Sequence, residues 1–416
     1  MEITIFPHPL HGVITPPPSK SQAHRLILAA ALAQGESRIQ NVDLSQDIRA
    51  TLQGISALGV GYRWVNRTLS ILGEGKKSLS ARCLPDDAKR SLPQFDCKES
   101  GSTLRFLLPL SLVLCGGGHF TGHGRLLQRP LTPYSAIFTQ QGISFAQNAQ
   151  AVTVQGRLFP GEYRLPGHIS SQFFTGLLFA LPLLDGGSEI ICTTPLQSRD
   201  YVEMTLAVLA DCGISIEKTE NSFRIPGNCT YRPIHTRIEA DWSQAAFWYA
   251  AQLASPTVEV LGMNPDSVQG DKRILSFLAD MRSEFPCTFD VSDCPDLALP
   301  LAAAAVLRPE NTVTRLENTS RLRFKESDRI TAIVRTLSAF GVHIQEEADA
   351  LTILAPASLS GGCIDSQNDH RIAMMTAILA SKAESPVMIR EAECVAKSYP
   401  AFWQDYARAG GILQKK

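Results

Sequence analysis

The sequence has no excess of either charge, with 39 Lys and Arg against 40 Asp and Glu and a formal net charge of −1. Nucleic-acid-binding proteins generally carry a basic excess, so no nucleic-acid partner is expected. A long apolar run is also lacking: the stretch 106–115 is broken by Pro109 and Ser111 and is shorter than the about 20 residues that span a bilayer. The opening residues show neither the basic nor the apolar region of a secretory signal. We therefore expect a cytoplasmic protein without a membrane partner.

The ten cysteines form no recognisable metal-binding or disulfide pattern. They are scattered between Cys83 and Cys394, no Cys-x-x-Cys occurs, and the closest pair is Cys287 and Cys294. Structural zinc sites and small disulfide scaffolds use closely spaced cysteines. The sequence therefore predicts reduced cysteines, no metal site and no cofactor.

One pattern recurs along the chain: a helix-like segment ends in glycine, and two short strand-like runs follow, usually opened by Val or Ile. A glycine just past a helix allows a positive φ angle there. The glycines that mark the pattern are Gly59, Gly142, Gly213, Gly341 and Gly410. The gap between the third and the fourth is wide, so we expect a weak copy at 281–291. Six units of roughly 70 residues are typical of an α/β protein with internal pseudo-symmetry, although glycine after a helix is also common by itself.

A length of 416 residues implies about two to three domains. The segment 16–18 consists of three prolines and must be extended. It is one candidate crossing between domains, and the segment 231–236 is the other. Two crossings would place the first residues in the same domain as the C-terminal part of the chain.

Polar motifs open several apolar segments that are typical of buried helices, at 23–33, 105–115, 172–184, 243–253 and 371–381. They place cations or hydroxyls where helices begin, and helix N-termini attract anions. The motifs are PSKSQAHR (18–25), CKESGSTLR (97–105), GHGRLLQRP (122–130), GHISSQ (167–172), LQSRDY (196–201), CPDLALP (294–300), FKESDR (324–329), QNDHR (367–371) and VAKSYP (395–400). Together they predict a cationic pocket for small, highly anionic substrates.

Each motif also has a simpler interpretation. Lys20 and Ser21 are compatible with a capped amphipathic surface helix, and Asp296 with a helix-capping aspartate. The charged segment 325–329 is compatible with a solvated helical face. Only the combination of motifs favours a binding site.

The motifs and their order resemble the enolpyruvyl transferases, and within them the EPSP synthase family, from about residue 14 to residue 403. This resemblance implies a two-domain inside-out α/β barrel of six βαβαββ-type units, three per domain. It also implies a discontinuous domain of residues 1–18 and 237–416 and an inserted domain of residues 19–236, with the active site in the cleft between them.

The resemblance further implies a reaction. Members of the family transfer the carboxyvinyl group of phosphoenolpyruvate to the 5-hydroxyl of shikimate 3-phosphate and release phosphate, through a tetrahedral intermediate and without a metal or a cofactor. The product belongs to the shikimate pathway of aromatic amino acid biosynthesis. Such a reaction needs a base near the hydroxyl and an acid near the methylene carbon.

The resemblance assigns roles to individual residues. Asp296 is the expected base, and Lys20 and Glu326 are the expected proton-handling pair. The residues expected to bind shikimate 3-phosphate are Lys20, Ser21, Arg25, Ser170, Ser171, Gln172, Ser198, Tyr201, Asp296 and Lys325. The residues expected to bind phosphoenolpyruvate are Lys20, Gly101, Arg125, Gln172, Arg329, Arg371 and Lys397. The expected partners are therefore small anionic molecules, and the chain is expected to be a monomer.

The chain departs from the family pattern at three positions. Glu99 opens a segment where the family often has Asn, Phe106 stands where Pro is common, and Arg321 stands where many members have Asn. A carboxylate at Glu99 must either turn away from an anionic substrate or pair with a cation. The local shape of the phosphoenolpyruvate pocket is therefore a question for the structure.

Two other interpretations compete with this one. The sister enzymes transfer the same group to UDP-N-acetylglucosamine, and many carry a nucleophilic cysteine in the loop that corresponds to 119–128, where this chain has none. A catalytically inactive anion-binding protein is expected to lack Lys20, Asp296 or Glu326, and all three are present. The shikimate reaction is therefore the better supported prediction.

Overall fold

The computed structural model describes residues 1–83 and 91–416, and the chain divides into two compact units. The terminal unit comprises Met1–Pro17 and Glu239–Lys416, and the central unit comprises Pro18–Ile238. Each unit has its own core of buried apolar side chains. In the part of the chain described, no helix is long and apolar enough to cross a membrane.

Thirteen α-helices are described, and several of them begin after a polar residue whose side chain accepts a free N–H group of the first turn. The α-helices are α1 Lys20–Leu32, α2 Gln46–Ala57, α3 Gly75–Cys83, α4 Gly101–Cys115, α5 Thr132–Gln140, α6 Ser171–Ala180 and α7 Arg199–Asp211 in the central unit, and α8 Trp242–Ala251, α9 Ile274–Met281, α10 Ala298–Val306, α11 Arg329–Ala339, α12 His370–Ala380 and α13 Phe402–Arg408 in the terminal unit. Short 3-10 helices span Leu126–Gln128, Leu181–Leu183, Gly270–Arg273, Pro295–Leu297, Ser320–Phe324 and Ala392–Lys397.

Side-chain caps explain why helices start before the apolar segments that predicted them. The side chains that accept a first-turn N–H are Ser19, Ser45, Ser100, Ser170, Asp241, Asp328 and Asp369. As a result, α1 begins at Lys20, ahead of the apolar segment 23–33, and α4 begins at Gly101, ahead of the segment 105–115, as the polar motifs predicted. The motif residues therefore lie inside the first helical turns.

The strands are mostly short. They are β1 Ile3–Phe6, β2 Gly12–Ile14, β3 Gln34–Gln40, β4 Gly61–Val65, β5 Thr68–Glu74, β6 Gln94–Asp96, β7 Gly117–Thr121, β8 Ser144–Gln147, β9 Ala151–Gln155, β10 Glu162–Leu165, β11 Ser188–Cys192, β12 Glu217–Lys218, β13 Ser222–Ile225, β14 His235–Arg237, β15 Val258–Val260, β16 Cys287–Asp290, β17 Val313–Glu317, β18 His343–Glu346, β19 Ala350–Leu354, β20 Gly362–Asp365, β21 Val387–Arg390 and β22 Ile412–Lys415.

Among the described residues, five sheets share one strand order and one pattern of directions. In each, an edge strand pairs in parallel with its neighbour, and the next two pairings are antiparallel. The sheets are β14-β3-β5-β4, β6-β7-β9-β8 and β10-β11-β13-β12 in the central unit, and β16-β17-β19-β18 and β20-β21-β1-β22 in the terminal unit. β2 and β15 add a parallel pair to the terminal unit.

The marker glycines lie just before the antiparallel edge strand of each four-stranded sheet, which we call its outer strand. Their φ angles are 87°, 69°, 82°, 81° and 78° in chain order, so the predicted positive φ is confirmed at all five. They end α2, α5, α7, α11 and α13, and β4, β8, β12, β18 and β22 follow. The expected weak copy at 281–291 is wrong: this segment runs from the end of α9 into β16, a parallel edge strand.

The innermost helices of each unit are apolar on every face, as buried helices must be. Every residue of α10 and of α12 is buried, and in α6 only Gln172 is not. These helices can therefore offer polar groups to a ligand mainly at their first turns.

Arg308 joins the end of α9 to β17 in the terminal unit. Its guanidinium is buried and donates five hydrogen bonds of 2.6–3.0 Å. The acceptors are the carbonyls of Met281, Ser283, Phe285 and Val313 and the hydroxyl of Thr314. All five N–H groups of the arginine are thus used within the unit.

We expect Arg308→Met to destabilise the protein by about 2–3 kcal/mol, because buried acceptors then lose their donor. The measurement is urea unfolding followed by fluorescence. Arg282→Met is the matched control, because Arg282 is exposed at the end of the same helix and should change stability by less than about 0.5 kcal/mol. Equal effects of the two variants would contradict the prediction.

Candidate active site

Lys20 lies in the first turn of α1, directly after the capping Ser19. Its Nζ donates to Oδ2 of Asp47 at 2.7 Å, and both side chains are largely buried. Asp47 lies in the first turn of α2. The sequence prediction missed this partner, although Ser45 and Asp47 together have the composition of a helix start. The pair holds the amine of Lys20 in place and supplies a carboxylate that can exchange a proton with it.

Arg25, one turn further along α1, is buried and bound by neutral oxygens. Its Nε donates to Thr205 Oγ1 at 2.9 Å, and its Nη2 donates to the Tyr201 carbonyl at 2.9 Å. Nη1 donates to the Ser21 carbonyl at 2.6 Å. Burial lowers the pKa of Arg25 to about 10. Two of these bonds fix α1 to α7, so Arg25 has a packing role besides the predicted role in binding.

The first turn of α4 faces two guanidinium groups. A Cβ placed on Gly101 would lie 2.8 Å from Arg105 Nη1, 2.9 Å from Arg129 Nη1 and 3.4 Å from Gln172 Oε1. Both arginines are buried, and Arg105 Nη1 donates to Gln172 Oε1 at 2.9 Å. We call Gly101, Arg105, Arg129 and Gln172 the α4 cradle. Glycine lets the backbone of this helix start lie close to a bound anion.

Arg105 and Arg129 are the two members of the α4 cradle that the predicted binding residues did not include, and Arg129 is the less obvious of them. It lies in the motif GHGRLLQRP together with the predicted Arg125. The two arginines are four residues apart, and the family resemblance assigned only Arg125 to phosphoenolpyruvate. Arg125 itself is half-buried at the start of the 3-10 helix Leu126–Gln128. Its predicted role stays a prediction.

Glu99 is placed against the neighbouring loop. Its Oε2 lies 2.7 Å from where a Cβ of Gly124 would be, and Gly124 has a φ angle of +56°. The positive φ angle favours glycine at position 124. The carboxylate therefore packs beside the residue that precedes Arg125.

The serine motifs lie at two further helix starts of the central unit. Ser170 caps α6 by accepting the N–H of Gln172 at 3.3 Å, and Ser171 is the first residue of that helix. Ser198 is buried before α7 with a φ angle of +56° and does not cap the helix. A non-glycine residue in this conformation is strained, which often marks a functional position. The predicted roles of Ser198 and Tyr201 stay predictions.

Asp296 is the centre of the charged cluster in the terminal unit. It lies in the 3-10 helix Pro295–Leu297, and no side chain caps α10 after it, so the helix-cap interpretation is wrong. Its Oδ1 accepts from Arg329 Nη1 at 3.1 Å, and its Oδ2 accepts from Arg371 Nη2 at 2.9 Å. Burial alone would raise the pKa of this carboxyl, but Arg371, Lys325 and Arg329 outweigh burial and hold the pKa well below its ordinary value.

Arg329 is buried among three carboxylates, so the solvated-face interpretation of the segment 325–329 is wrong for this residue. Its side chain is 1% exposed. Besides Asp296, it binds Glu326 Oε2 at 2.7 Å and Asp369 Oδ2 at 2.9 Å. Asp369 also accepts the N–H of Arg371 at 2.9 Å and the hydroxyl of Ser327 at 3.0 Å. Asp369 therefore orients the guanidinium of Arg329 and holds the backbone of Arg371 at the start of α12, and its position as a helix cap did not reveal the first of these roles.

Lys325 and Asp271 complete the electrostatics of this cluster. Burial lowers the pKa of Lys325 to about 8; Asp296 opposes the shift, and Arg329 and Arg321 add to it. Burial and the charge of Asp296 raise the pKa of Asp271, whose Oδ2 accepts the hydroxyl of Ser243 at 2.6 Å. Asp271 is a carboxyl near Asp296 that the motifs did not indicate.

Lys397 and Arg321 are held by backbone carbonyls. Lys397 is buried at the end of the 3-10 helix Ala392–Lys397, and its Nζ donates to the Asn368 carbonyl at 2.6 Å. Arg321, where the family often has Asn, donates to the Ser292 carbonyl. Lys397 thus lies beside the loop that leads into α12, and its contact with a substrate stays a prediction.

The structure brings the predicted residues together in two groups, one in each unit. The central unit joins Lys20 and Arg25 on α1 and places Gly101 beside Gln172. In the terminal unit, Asp296 is joined to Arg329 and Arg371. Within residues 1–83 and 91–416, no group of three or more His, Cys, Asp or Glu side chains is arranged to hold a metal ion. The absence of a metal and a cofactor stays a prediction.

Comparison with known sequences gives a match along nearly the whole chain. A profile of the family described as EPSP synthase (3-phosphoshikimate 1-carboxyvinyltransferase) matches residues 6–288 and 283–406. A 3-phosphoshikimate 1-carboxyvinyltransferase of Clostridium kluyveri is 40% identical over 99% of this chain and 98% of its own length. One of Clostridium perfringens strain 13 is 39% identical over 100% of both chains.

Solved structures show the same fold. An EPSP synthase from Acinetobacter baumannii matches with a TM-score of 0.78 at 23% identity and covers 100% of both chains. The enolpyruvyl transferase NikO from Streptomyces tendae matches with a TM-score of 0.76 at 16% identity, over 99% of this chain and 98% of its own. The predicted α/β class and the two-domain architecture are confirmed by these likenesses.

Proposed function

The chain belongs to the EPSP synthase (3-phosphoshikimate 1-carboxyvinyltransferase) family, and we propose that it transfers the carboxyvinyl group of phosphoenolpyruvate to shikimate 3-phosphate. The residues proposed for this reaction are the two groups described above, one in the central unit and one in the terminal unit. The observation that carries the residue assignment is the binding of one carboxylate, Asp296, by the buried arginines Arg329 and Arg371. A base and two cations in direct contact suit a reaction between a hydroxyl and an anionic enol ether.

In this proposal, Asp296 takes the proton of the 5-hydroxyl. Its low pKa in the ligand-free protein makes it a weak base, because Arg371, Lys325 and Arg329 stabilise its charge. When the carboxylate and phosphate of phosphoenolpyruvate bind the two arginines, part of this stabilisation is withdrawn and the basicity of Asp296 rises. Substrate binding thus activates the base.

The α4 cradle supports the binding of phosphoenolpyruvate in the central unit. It combines the free N–H groups of a helix start with two guanidinium groups, and both features favour an anion with several oxygens. Gln172 connects the cradle to the start of α6, because its Nε2 donates to Ser102 Oγ at 3.0 Å. Ser170 and Ser171 at that start are the groups proposed to bind shikimate 3-phosphate, together with Ser21, Arg25, Ser198, Tyr201 and Lys325.

The reaction proceeds by addition and elimination. The 5-hydroxyl oxygen bonds to C2 of phosphoenolpyruvate, its proton goes to Asp296, and C3 receives a proton to become a methyl group. The tetrahedral intermediate then loses phosphate by breaking the C2–O bond, and a proton leaves the methyl group to restore the double bond. Lys20 and Glu326 are the proposed proton donor and acceptor at C3, and Asp47 is the group that can exchange a proton with Lys20.

We further propose that the domains predicted at residues 1–18 with 237–416 and at 19–236 both supply residues to this one reaction. Lys20 lies in the central unit and Asp296 in the terminal unit, and the proposed chemistry needs both. We also propose that the chain acts as a monomer in the cytoplasm. Sedimentation of the purified chain with and without both substrates tests the monomer.

The proposed function is tested by phosphate release from phosphoenolpyruvate. Release is expected with shikimate 3-phosphate and absent without an acceptor or with UDP-N-acetylglucosamine. If the bridging oxygen of phosphoenolpyruvate carries ¹⁸O, the label should appear in phosphate, because the C2–O bond breaks. Release with UDP-N-acetylglucosamine alone, or label left in the organic product, would overturn the proposal.

We expect the affinity for shikimate 3-phosphate to fall as the pH rises from 7 to 9.5. The pKa of Lys325 is lowered to about 8, so its amine is a cation below that pH and loses its charge above it. The loss of one charge-assisted contact corresponds to roughly a tenfold weaker binding. The substrate phosphate is already ionised throughout this range.

Calorimetric titration across this pH range checks the prediction. Lys325→Arg is the control, because its guanidinium stays charged and should remove most of the pH dependence. The same slope in both proteins would show that another group titrates.

A further inference from the structure

Four buried side chains of the central unit form one row of hydrogen bonds. His24 Nδ1 lies 2.7 Å from Thr51 Oγ1, Thr51 Oγ1 lies 2.7 Å from Thr103 Oγ1, and Thr103 Oγ1 lies 2.7 Å from Ser100 Oγ. All four residues are at most 1% exposed. We call this set the His24 row. It connects α1, which carries His24, with α2, which carries Thr51, and with the cap of α4.

The direction of the bonds in the His24 row follows from the number of protons. A hydroxyl has one proton to donate. Thr103 donates its proton to Ser100 Oγ, so it must accept the proton of Thr51. Thr51 has then no proton left and must accept from His24. The imidazole therefore carries its proton on Nδ1.

The other ring nitrogen supports the same assignment. His24 Nε2 is buried and has no hydrogen-bond partner among the residues that the structure describes. A proton on Nε2 would be a buried donor without an acceptor, and such orphaned N–H groups are rare. A ring protonated on both nitrogens is disfavoured as well, because burial and the cations Lys20 and Arg25 hold the pKa of His24 well below its ordinary value.

The His24 row lies where the proposed function needs a fixed spacing. Lys20 and Arg25 flank His24 on α1, and Lys20 is paired with Asp47 on α2. At the far end, Ser100 caps α4 directly before Gly101 of the α4 cradle. The row thus connects the helix starts that carry the proposed proton-handling lysine and the proposed phosphoenolpyruvate site.

We infer that His24 is a positioning residue, whose Nδ1–H tautomer fixes the start of α4 relative to the start of α1. It acts through Thr51, Thr103 and Ser100 and adds no charge to the anion site. The inference rests on the proposed function for its effect on catalysis, but the tautomer itself does not depend on that function.

The first test needs no variant to be active. The ¹⁵N shifts of the histidine rings are recorded in the ¹⁵N-labelled full-length protein, and the His24 signals are assigned by through-bond correlations. The expected result is a protonated Nδ1 and a bare Nε2, unchanged from pH 5.5 to pH 8. A bare Nδ1, or a ring that becomes doubly protonated above pH 6, overturns the inference.

The second test measures steady-state kinetics. Thr51→Val removes the acceptor of His24 with little change in size, and we expect a three- to tenfold higher KM for phosphoenolpyruvate with a smaller change in kcat, about the effect of one hydrogen bond. His24→Asn retains an N–H donor near the position of Nδ1 and should keep KM close to that of the unmodified protein, whereas His24→Leu should raise it as Thr51→Val does.

Thr153→Val is the matched control for the kinetic test. It breaks the 2.9 Å bond between Thr153 and His119 Nδ1, a second His–Thr pair of the central unit on β7 and β9. An equal KM in Thr51→Val and Thr153→Val overturns the positioning role. An inactive unmodified protein would count against the proposed function and leave the tautomer result standing.

Discussion

Asp296→Asn is expected to lower kcat by about 10²–10⁴-fold, the range for the loss of a positioned general base. The amide keeps the size of the side chain and one acceptor for Arg329 or Arg371, but it cannot take the proton of the 5-hydroxyl. The binding of shikimate 3-phosphate should change much less than kcat. Steady-state turnover and calorimetric titration with shikimate 3-phosphate are measured for Asp296→Asn and for the unmodified protein.

Asp290→Asn is the matched control for this variant. Asp290 lies in the same unit on β16, and its carboxylate accepts the N–H of Ser292 at 2.7 Å. Its amide variant should keep kcat within about twofold, as expected for a residue outside the reacting groups. Near-normal turnover of Asp296→Asn would show that the base lies elsewhere and that Asp296 only holds the two arginines.

Arg329→Met is expected to destabilise the protein by about 3–5 kcal/mol, because it leaves buried carboxylates without their cation. Asp369 is fully buried and is bound by Arg329 at 2.9 Å, while Asp296 and Glu326 lose one partner each. The pKa of Asp369 is lowered in the unmodified protein, since burial is outweighed by Arg329. Its stabilising contribution is therefore present at neutral pH and is lost as the pH falls through that lowered pKa.

The destabilisation by Arg329→Met should therefore shrink as the pH falls from 7.5 to 5. Without the arginine, burial raises the pKa of Asp369, and protonation relieves the unpaired charge. Urea unfolding at several pH values measures this trend. Arg335→Met, at an exposed position of the same helix, is the control and should change stability by less than about 0.5 kcal/mol at every pH. A pH-independent loss in Arg329→Met would indicate lost packing instead of an unpaired charge.

The repeat of the fold was predictable because its causes are local. A glycine with a positive φ angle ends a helix whatever the rest of the chain does, so Gly59, Gly142, Gly213, Gly341 and Gly410 revealed five outer strands. The segment 281–291 lacks that glycine, and only the pairing of β16 with β17 shows that it is an edge strand. Pairing between distant strands leaves no comparable local signal.

The candidate site was predictable in its cations and hydroxyls, because helix starts select a few residue types near the cap. Arg25 shows the limit of this reasoning. Its residue type fitted an anion site, but its acceptors Thr175 and Thr205 lie 150 and 180 residues away in sequence. Their approach to α1 depends on how α6 and α7 pack.

The sequence by itself determined which residues can carry charge, where several helices begin or end, and which family the motifs resemble, since each depends on near neighbours or on motif order. Only the tertiary structure decided the partners. Asp47 holds Lys20 across 27 residues, and Asp369 holds Arg329 across 40 residues. The physical reason is that a buried charge is stabilised by the groups that packing brings within hydrogen-bond distance, and side-chain packing is set by the whole core of each unit.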